Sequence, residues 1–235
     1  MKGVKGTYLL FYLSFLIVVL VAVFCEMLHL VYVKPLVPIS LGVIGLMYLQ
    51  RSLRFYFTLS MLTIMVNDTL VYWDFGKYFN QVAITIIIFY FFCLLLLKNY
   101  ISLKDINLKK FLSFPIMISV ILIGYLTFEI SVLVLPNLQD SIVAFFLILI
   151  VLFFFVGTCF FIYIIDEFQG NFRLFITASC CLFVTALLLI NNFYYYDRIF
   201  TVLINIAEVI GLYFFVNFFL YAKPIDSEHK EENYF

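Results

Sequence analysis

The chain has 235 residues, of which 66% are hydrophobic and 12% are charged, and its 14 basic residues balance its 14 acidic residues. A water-soluble fold could not hide that much apolar surface, because folded soluble proteins need a polar exterior. The zero net charge argues against nucleic acid as a partner. The composition therefore predicts an integral, multi-pass membrane protein.

Long apolar stretches fill almost the whole chain, and about 20 helical residues are enough to cross a bilayer. Runs such as Val143–Phe155 lack the alternation of apolar and polar residues that marks a membrane barrel. We predict an all-α bundle of eight transmembrane helices in a single domain, residues 1–222, followed by a flexible cytoplasmic tail, residues 223–235. The predicted spans are 7–27, 35–50, 55–74, 79–97, 112–135, 141–165, 174–190 and 199–221.

The distribution of lysine and arginine over the loops predicts the orientation of these spans. One set of ends carries 11 of the 14 basic residues and the other set carries three, namely Lys34, Lys77 and Arg198. Cytoplasmic loops are the richer in positive charge. Both termini are therefore predicted to be cytoplasmic, which requires an even number of spans.

Two further patterns indicate what the spans contact. The spacing of Gly42 and Gly45 in the second span predicts close packing against another helix. Aromatic residues gather at the predicted outer ends, as in the aromatic belt of a membrane interface. The outer set comprises Tyr32, Tyr72, Trp73, Tyr78 and Tyr194–Tyr196.

Polar residues inside the spans occur at similar depths. Asp68 lies six residues from the outer end of the third span, about 9 Å deep at 1.5 Å per residue. In the eighth span Asn205 and Glu208 lie six and nine residues from the outer end, and their spacing from Thr201 places all three on one helix face. Further polar groups in the outer half are Lys34, Glu129 and Thr185.

A carboxylate so deep in hydrocarbon must be paired, protonated or solvated. The convergence therefore predicts a polar cavity in the outer half, lined by Asp68, Glu208, Asn205 and Glu129, with Lys34 at its rim. The alternative for the uncharged residues is hydrogen bonding between helices, which is common for single Asn and Thr side chains. This alternative applies to Asn67, Asn80, Asn205 and Thr185.

Several kinds of chemistry are excluded by the residues that are missing. The two histidines, His29 and His229, lie at a membrane edge and in the tail, so neither a histidine zinc site nor a Ser–His–Asp triad can form inside the membrane. The chain has no glycine-rich phosphate loop and no G-x-S-x-G elbow. We predict no metal and no organic cofactor, and any reaction must use carboxylates, amides, hydroxyls or Lys34.

The order of these motifs resembles the YhhN-like integral membrane family, whose characterised members are lysoplasmalogenases with eight spans. The resemblance covers residues from about 30 to 221. It is carried by Val33-Lys34-Pro35-Leu36, Asn67-Asp68, Tyr90, the segment Leu187–Phe193 with Asn191, and the eighth span from Ile206 to Leu220 with Glu208 and Asn217.

The resemblance implies hydrolysis of the vinyl ether of a lysoplasmalogen, with release of a fatty aldehyde. Two departures bear on this activity: Thr185 stands where the family has a second aspartate, and Ile87 stands where it has a histidine. Vinyl-ether hydrolysis needs a general acid and a group that activates water, which two carboxylates can supply. Glu208 is the best substitute for the missing acid, so Asp68 and Glu208 are the predicted catalytic pair.

The predicted substrate-binding residues are Lys34, Asn67, Tyr90, Glu129, Thr185, Asn191 and Asn205. Lys34 would pair with Asp68 or receive the lipid phosphate. Three functions follow: a lysoplasmalogenase-like hydrolase acting on a membrane lysolipid, a catalytically inactive lipid-binding relative, or a transporter of a small solute or lipid. Resemblance and orientation together place the protein in a bacterial plasma membrane.

Overall fold

A computed structural model describes residues 2–101, 114–138 and 141–224. Within these ranges the chain is helical and forms no strand, which confirms the all-α prediction. The predicted tail beyond Pro224 and most of the basic loop Lys98–Lys110 lie outside the described residues.

Nine α-helices follow one another along the described chain, and short 3₁₀ turns at Met27–His29, Lys98–Tyr100 and Leu135–Asn137 extend some of their ends. The α-helices are α1 (Lys2–Phe24), α2 (Leu30–Val33), α3 (Leu36–Tyr48), α4 (Arg51–Asp74), α5 (Phe79–Leu97), α6 (Phe114–Val134), α7 (Ile142–Ile165), α8 (Phe172–Phe193) and α9 (Arg198–Tyr221).

Seven helical segments in the described ranges are long and apolar enough to cross a membrane. α2 and α3 together make one of them, Met27–Tyr48, while α1 and α5–α9 supply the other six. α4 has 24 residues and a comparable length, but Arg51, Arg54, Asp68 and Asp74 make it more polar. Large apolar side chains cover the outside of the bundle, as expected where lipid replaces water.

Most consecutive helices pack antiparallel, as the short loops predict. α9 lies against α8, α4 against α5, and α1 against both α3 and α9. α6 is the exception, because it packs mainly on α8 and makes few contacts with α7, the next helix in the chain. It is also the least buried of the spanning helices. A wide space therefore remains between α6, α7 and α8.

The break between α2 and α3 follows from two prolines. Pro35 and Pro38 lack the N–H that a continuous helix requires. The Lys34 carbonyl would normally accept from residue 38, but it accepts instead from the backbone N–H of Val37, at 3.1 Å. The break occurs at Lys34, whose side chain extends into the bundle.

Some predicted boundaries differ from the observed ones. α4 begins at Arg51, four residues before the predicted start of the third span, because the Gln50 carbonyl accepts from the Leu53 and Arg54 backbone N–H groups. α8 has 22 residues, five more than predicted, and includes polar residues at its end that the apolar pattern could not assign to a helix. Such shifts of a few residues at helix ends are expected.

The predicted glycine contact is present at one of the two positions. A Cβ added to Gly45 would lie 1.9 Å from Cε1 of Phe57, whose ring is fully buried in α4. A Cβ added to Gly42 would meet no heavy atom within 4 Å. Gly45 therefore allows α3 and α4 to approach, whereas Gly42 does not serve this purpose.

We expect Gly45→Ala to destabilise the protein by about 1–3 kcal/mol, because the new methyl group must displace the Phe57 ring from a packed interface. The matched control is Gly42→Ala, on the same helix, which should leave stability unchanged. The measurement is the midpoint of thermal unfolding in detergent. Equal midpoints for the two variants would contradict the close approach of α3 and α4.

Candidate functional site

One buried lysine and two buried acids meet at one end of the bundle. Lys34 comes from the break between α2 and α3, Asp68 from the last third of α4, and Glu208 from the first half of α9. The three residues are far apart in sequence and lie on separate helices. Their contact therefore depends on the packing of α3, α4 and α9 around a common axis.

The Lys34 ammonium is the centre of this cluster. Its Nζ donates a short hydrogen bond to Oε2 of Glu208 and a second bond of 3.2 Å to the hydroxyl of Tyr72. Oδ1 of Asp68 lies 3.9 Å from Nζ. The ammonium also lies 4.7 Å from the centroid of the Tyr72 ring, within the range of a cation–π contact. Nζ therefore donates hydrogen bonds to Glu208 and Tyr72 and lies within ion-pair distance of Asp68.

Burial makes this cluster electrostatically unusual. Lys34 is 2% exposed and Asp68 is 3% exposed, while the Glu208 side chain retains 14% exposure. One ammonium and two ionised carboxylates would carry a net charge of −1 in an apolar surrounding, which is costly. A proton on one acid would remove that charge.

Each acid has one oxygen without a partner. Oδ2 of Asp68 and Oε1 of Glu208 are buried and accept no hydrogen bond from the protein. Buried carboxylate oxygens are normally paired, so unpaired ones indicate a place for water or for a ligand donor. The two oxygens belong to the two predicted catalytic residues.

Tyr72 is a part of the site that the sequence pattern misplaced. It was predicted in the outer aromatic belt, yet it is 4% exposed and its hydroxyl accepts from both Lys34 and Asn205, the latter at 2.9 Å. Trp73, its neighbour, is exposed as a belt residue should be. The signal that would have identified Tyr72 is its spacing of four from Asp68, which places both on one face of α4.

The amides around the cluster mainly fix helix positions. Asn205 donates to Tyr72 and to the Thr201 carbonyl. Asn191 donates to the Thr201 hydroxyl and accepts from the backbone N–H of Asp197, which ties the end of α8 to the start of α9. These bonds agree with the alternative of hydrogen bonding between helices. Asn67 differs, because it accepts from Thr85 at 3.0 Å and also lines a cavity.

The cluster opens into an internal space, which we call the polar cavity, bounded by α4, α5, α7, α8 and α9 and by Lys34. Its free volume is about 90 Å³, room for a few water molecules. Along α8 its walls run from Leu189 to Thr177, about 18 Å at 1.5 Å per residue. The polar groups lie mostly at one end, and aliphatic and aromatic side chains form most of the remaining wall.

A second polar group lies farther along this cavity. Tyr90 is buried in α5, and its hydroxyl interacts with Cys181 and Thr185 of α8. Both Tyr90 and Thr185 line the polar cavity. They contact each other rather than the Lys34 cluster, so the cavity has two separate polar positions.

Three predicted positions need correction. Lys34 is buried at the centre of the cluster, not at a rim, because the proline break turns its side chain inward. Glu129 is exposed on α6 and interacts with Tyr125 of the same helix, so it does not line the cavity. Asn205 lies behind Tyr72 and is also absent from the lining.

No group of three or more metal-ligating side chains occurs among the described residues. Comparisons with protein-family models, with curated proteins and with solved structures gave no match to this chain. The functional inference therefore depends on the site itself. Its geometry offers two adjacent acids, a fixed ammonium between them, room for water and an apolar extension.

We expect Lys34→Met to destabilise the protein by about 3–5 kcal/mol, because both acids would lose the counter-charge that compensates their burial. The neutral triple variant Lys34→Met/Asp68→Asn/Glu208→Gln should recover most of this loss. Lys77→Met, at an exposed lysine, is the control and should have no effect. Thermal unfolding in detergent measures all three. A stable Lys34→Met protein would contradict the central role of the ammonium.

Proposed function

We propose that this protein is a membrane-embedded hydrolase that cleaves the vinyl ether of a lysolipid, as the resemblance to lysoplasmalogenases implies. The observation that carries the proposal is the pair of acids Asp68 and Glu208, which both line the polar cavity and each have one buried oxygen without a hydrogen-bond partner. Two acids beside one ammonium, with different surroundings, are a usual way in which proteins provide both a proton donor and a base at one site.

The reaction consumes one water. An acid transfers a proton to the alkene carbon that is not bonded to the ether oxygen. This leaves an oxocarbenium ion at the alkene carbon that is bonded to that oxygen. Water adds to that carbon and gives its proton to the second carboxylate. When the carbon–oxygen bond of the resulting hemiacetal breaks, the first carboxylate takes the proton of the hemiacetal hydroxyl and the second acid gives its proton to the leaving oxygen. The products are a fatty aldehyde and the alcohol of the glycerophospho-headgroup, and both acids return to their starting protonation states.

The contacts of Lys34 favour one assignment of roles. A nearby positive charge stabilises an ionised carboxylate. Glu208 is directly hydrogen-bonded to the ammonium, whereas the nearest oxygen of Asp68 is 3.9 Å away. We therefore assign the proton to Asp68, as the general acid, and the activation of water to Glu208. The ionised Glu208 would also stabilise the oxocarbenium ion by its negative charge.

The arrangement of the cavity walls, rather than the free volume of about 90 Å³, suits such a substrate. Hydrolysis of a vinyl ether requires a reactive oxygen near the acids and an apolar environment for the attached chain. The polar end of the cavity has room for water, and the remainder is lined by residues such as Ile148, Phe155 and Phe215. A single hydrocarbon chain matches this division better than a polar solute does.

A second candidate is a lipid-binding protein of the same fold without catalysis. It is favoured by the direct bond between Lys34 and Glu208, which partly neutralises the acid that would activate water. In that case the cluster would only hold α3, α4 and α9 together. Both candidate proteins would bind a lysolipid, but only the first would hydrolyse it.

We further propose that α4 is an eighth membrane span, with both termini cytoplasmic in a bacterial plasma membrane. Its 24 residues reach about 36 Å, and it packs between α3 and α5. Its inward-facing polar residues are paired within the bundle, which lowers the cost of burial. The eleven-to-three division of basic residues supports the orientation.

The assay is aldehyde release from a lysoplasmalogen by the purified protein. We expect aldehyde from the wild type and a loss of at least about 100-fold in Asp68→Asn and Glu208→Gln, since each variant removes a proton-transfer group. Both substitutions keep the shape of the side chain. Asn191→Ala is the control, because it removes hydrogen bonds between α8 and α9 without changing the cavity lining. It shows how much activity is lost when helix packing alone is weakened. Lysoplasmalogen binding without aldehyde in the wild type would favour the second candidate.

Orientation can be tested by cysteine labelling in a background lacking the five native cysteines. Lys77→Cys, in the loop between α4 and α5, should react with a membrane-impermeant maleimide in intact cells. Lys98→Cys, at the opposite end of α5, should react only after permeabilisation. Both lysines are exposed, so accessibility within the protein is matched. The reverse pattern would invert the proposed topology.

A further inference from the structure

The space between α6, α7 and α8, which we call the lateral chamber, has a free volume of about 910 Å³, ten times that of the polar cavity by the same measure. This lies in the size range of ligand pockets. Its walls are almost entirely apolar, with a few small hydroxyl residues such as Thr127 and Ser131. Those two hydroxyls donate hydrogen bonds to backbone carbonyls of their own helix, so they do not require a polar ligand as an acceptor.

The lateral chamber and the polar cavity meet on α8. Thr185 and Leu189 line both spaces, while Ile148 and Phe155 of α7 face the polar cavity and Phe145 and Leu152 face the chamber. The two spaces are therefore separated only by the α7–α8 interface and adjoin at Thr185 and Leu189. A chain lying in the chamber could reach the acids through this junction.

We propose that the lateral chamber binds the hydrocarbon chain of a single-chain lipid. The chain would enter the chamber from the bilayer and pass Thr185 and Leu189 to reach the polar cavity. This inference rests on the proposed function and adds the route by which the substrate arrives. It explains why α6 packs mainly on α8, since close packing of α6 against α7 would close the chamber.

The features of the chamber favour one occupant. It faces the membrane beside a loosely packed helix, so its contents come from lipid rather than from water. It adjoins a site with only about 90 Å³ of space, which suits one chain better than two. It shares Thr185 and Leu189 with the cavity that holds the acids, and this distinguishes it from an ordinary groove on a helix bundle.

Two glycines provide a position for an obstructing side chain and a matched control position. Gly157 of α7 lines the chamber, and a Cβ added there would meet no heavy atom within 4 Å. Gly124 of α6 has the same open surroundings but does not line the chamber. Gly157→Trp should therefore place its ring in the chamber and obstruct it, and Gly124→Trp should leave it open. Gly157→Leu provides a smaller plug if the tryptophan disturbs folding.

The experiment uses the full chain in nanodiscs with a lysophosphatidylethanolamine that carries a diazirine in its hydrocarbon chain. After irradiation, mass spectrometry locates the adducts. We expect adducts on the α8 segment that contains Leu182, Thr185 and Leu189, competed by unlabelled lysolipid. These adducts should be lost in Gly157→Trp, reduced in Gly157→Leu and kept in Gly124→Trp.

Adducts spread evenly over the outer surface, or unaffected by either Gly157 variant, would overturn the proposal. Equal competition by a two-chain phospholipid would assign the chamber to bulk lipid and would also overturn it. The readout is binding, so it is independent of catalysis. Chamber adducts without aldehyde would refute the hydrolase alone, whereas undiminished aldehyde release by Gly157→Trp would refute the route alone.

Discussion

The bond between the Lys34 ammonium and the acids of α4 and α9 is the constraint around which this end of the bundle is arranged. Three ionisable side chains in an apolar surrounding are tolerable only if they compensate one another. Their helices must therefore keep a fixed spacing at this level. Tyr72 completes the arrangement, because its hydroxyl links the ammonium to Asn205 and so joins α4 to α9 a second time.

The features around this cluster follow from the same requirement. The proline break at Lys34 directs the lysine into the bundle, and the glycine at position 45 lets α3 approach α4 closely. Asn191 fixes the turn that presents the start of α9. Polar groups that would be costly in lipid are thus enclosed, and Asp68 and Glu208, each with one unpaired oxygen, line an internal space.

This charge arrangement bears on both candidate functions. A fixed ammonium between two acids creates unequal surroundings, because one acid bonds to it closely and the other does not. That inequality is useful for acid–base chemistry and equally useful for holding helices together. The proposed lipid ligand is supported by the apolar portion of the cavity and by the two residues that the cavity shares with the lateral chamber.

Composition and periodicity were sufficient to predict an all-helical membrane bundle, because the length of an apolar run is set by bilayer thickness. They also predicted the shared depth of Asp68 and Glu208, since depth follows from position along a helix. The rotation and tilt of each helix do not follow from those rules. Only tertiary packing decided that Lys34 lies between the acids, that Tyr72 faces inward, that Glu129 faces outward and that α6 stands away from α7.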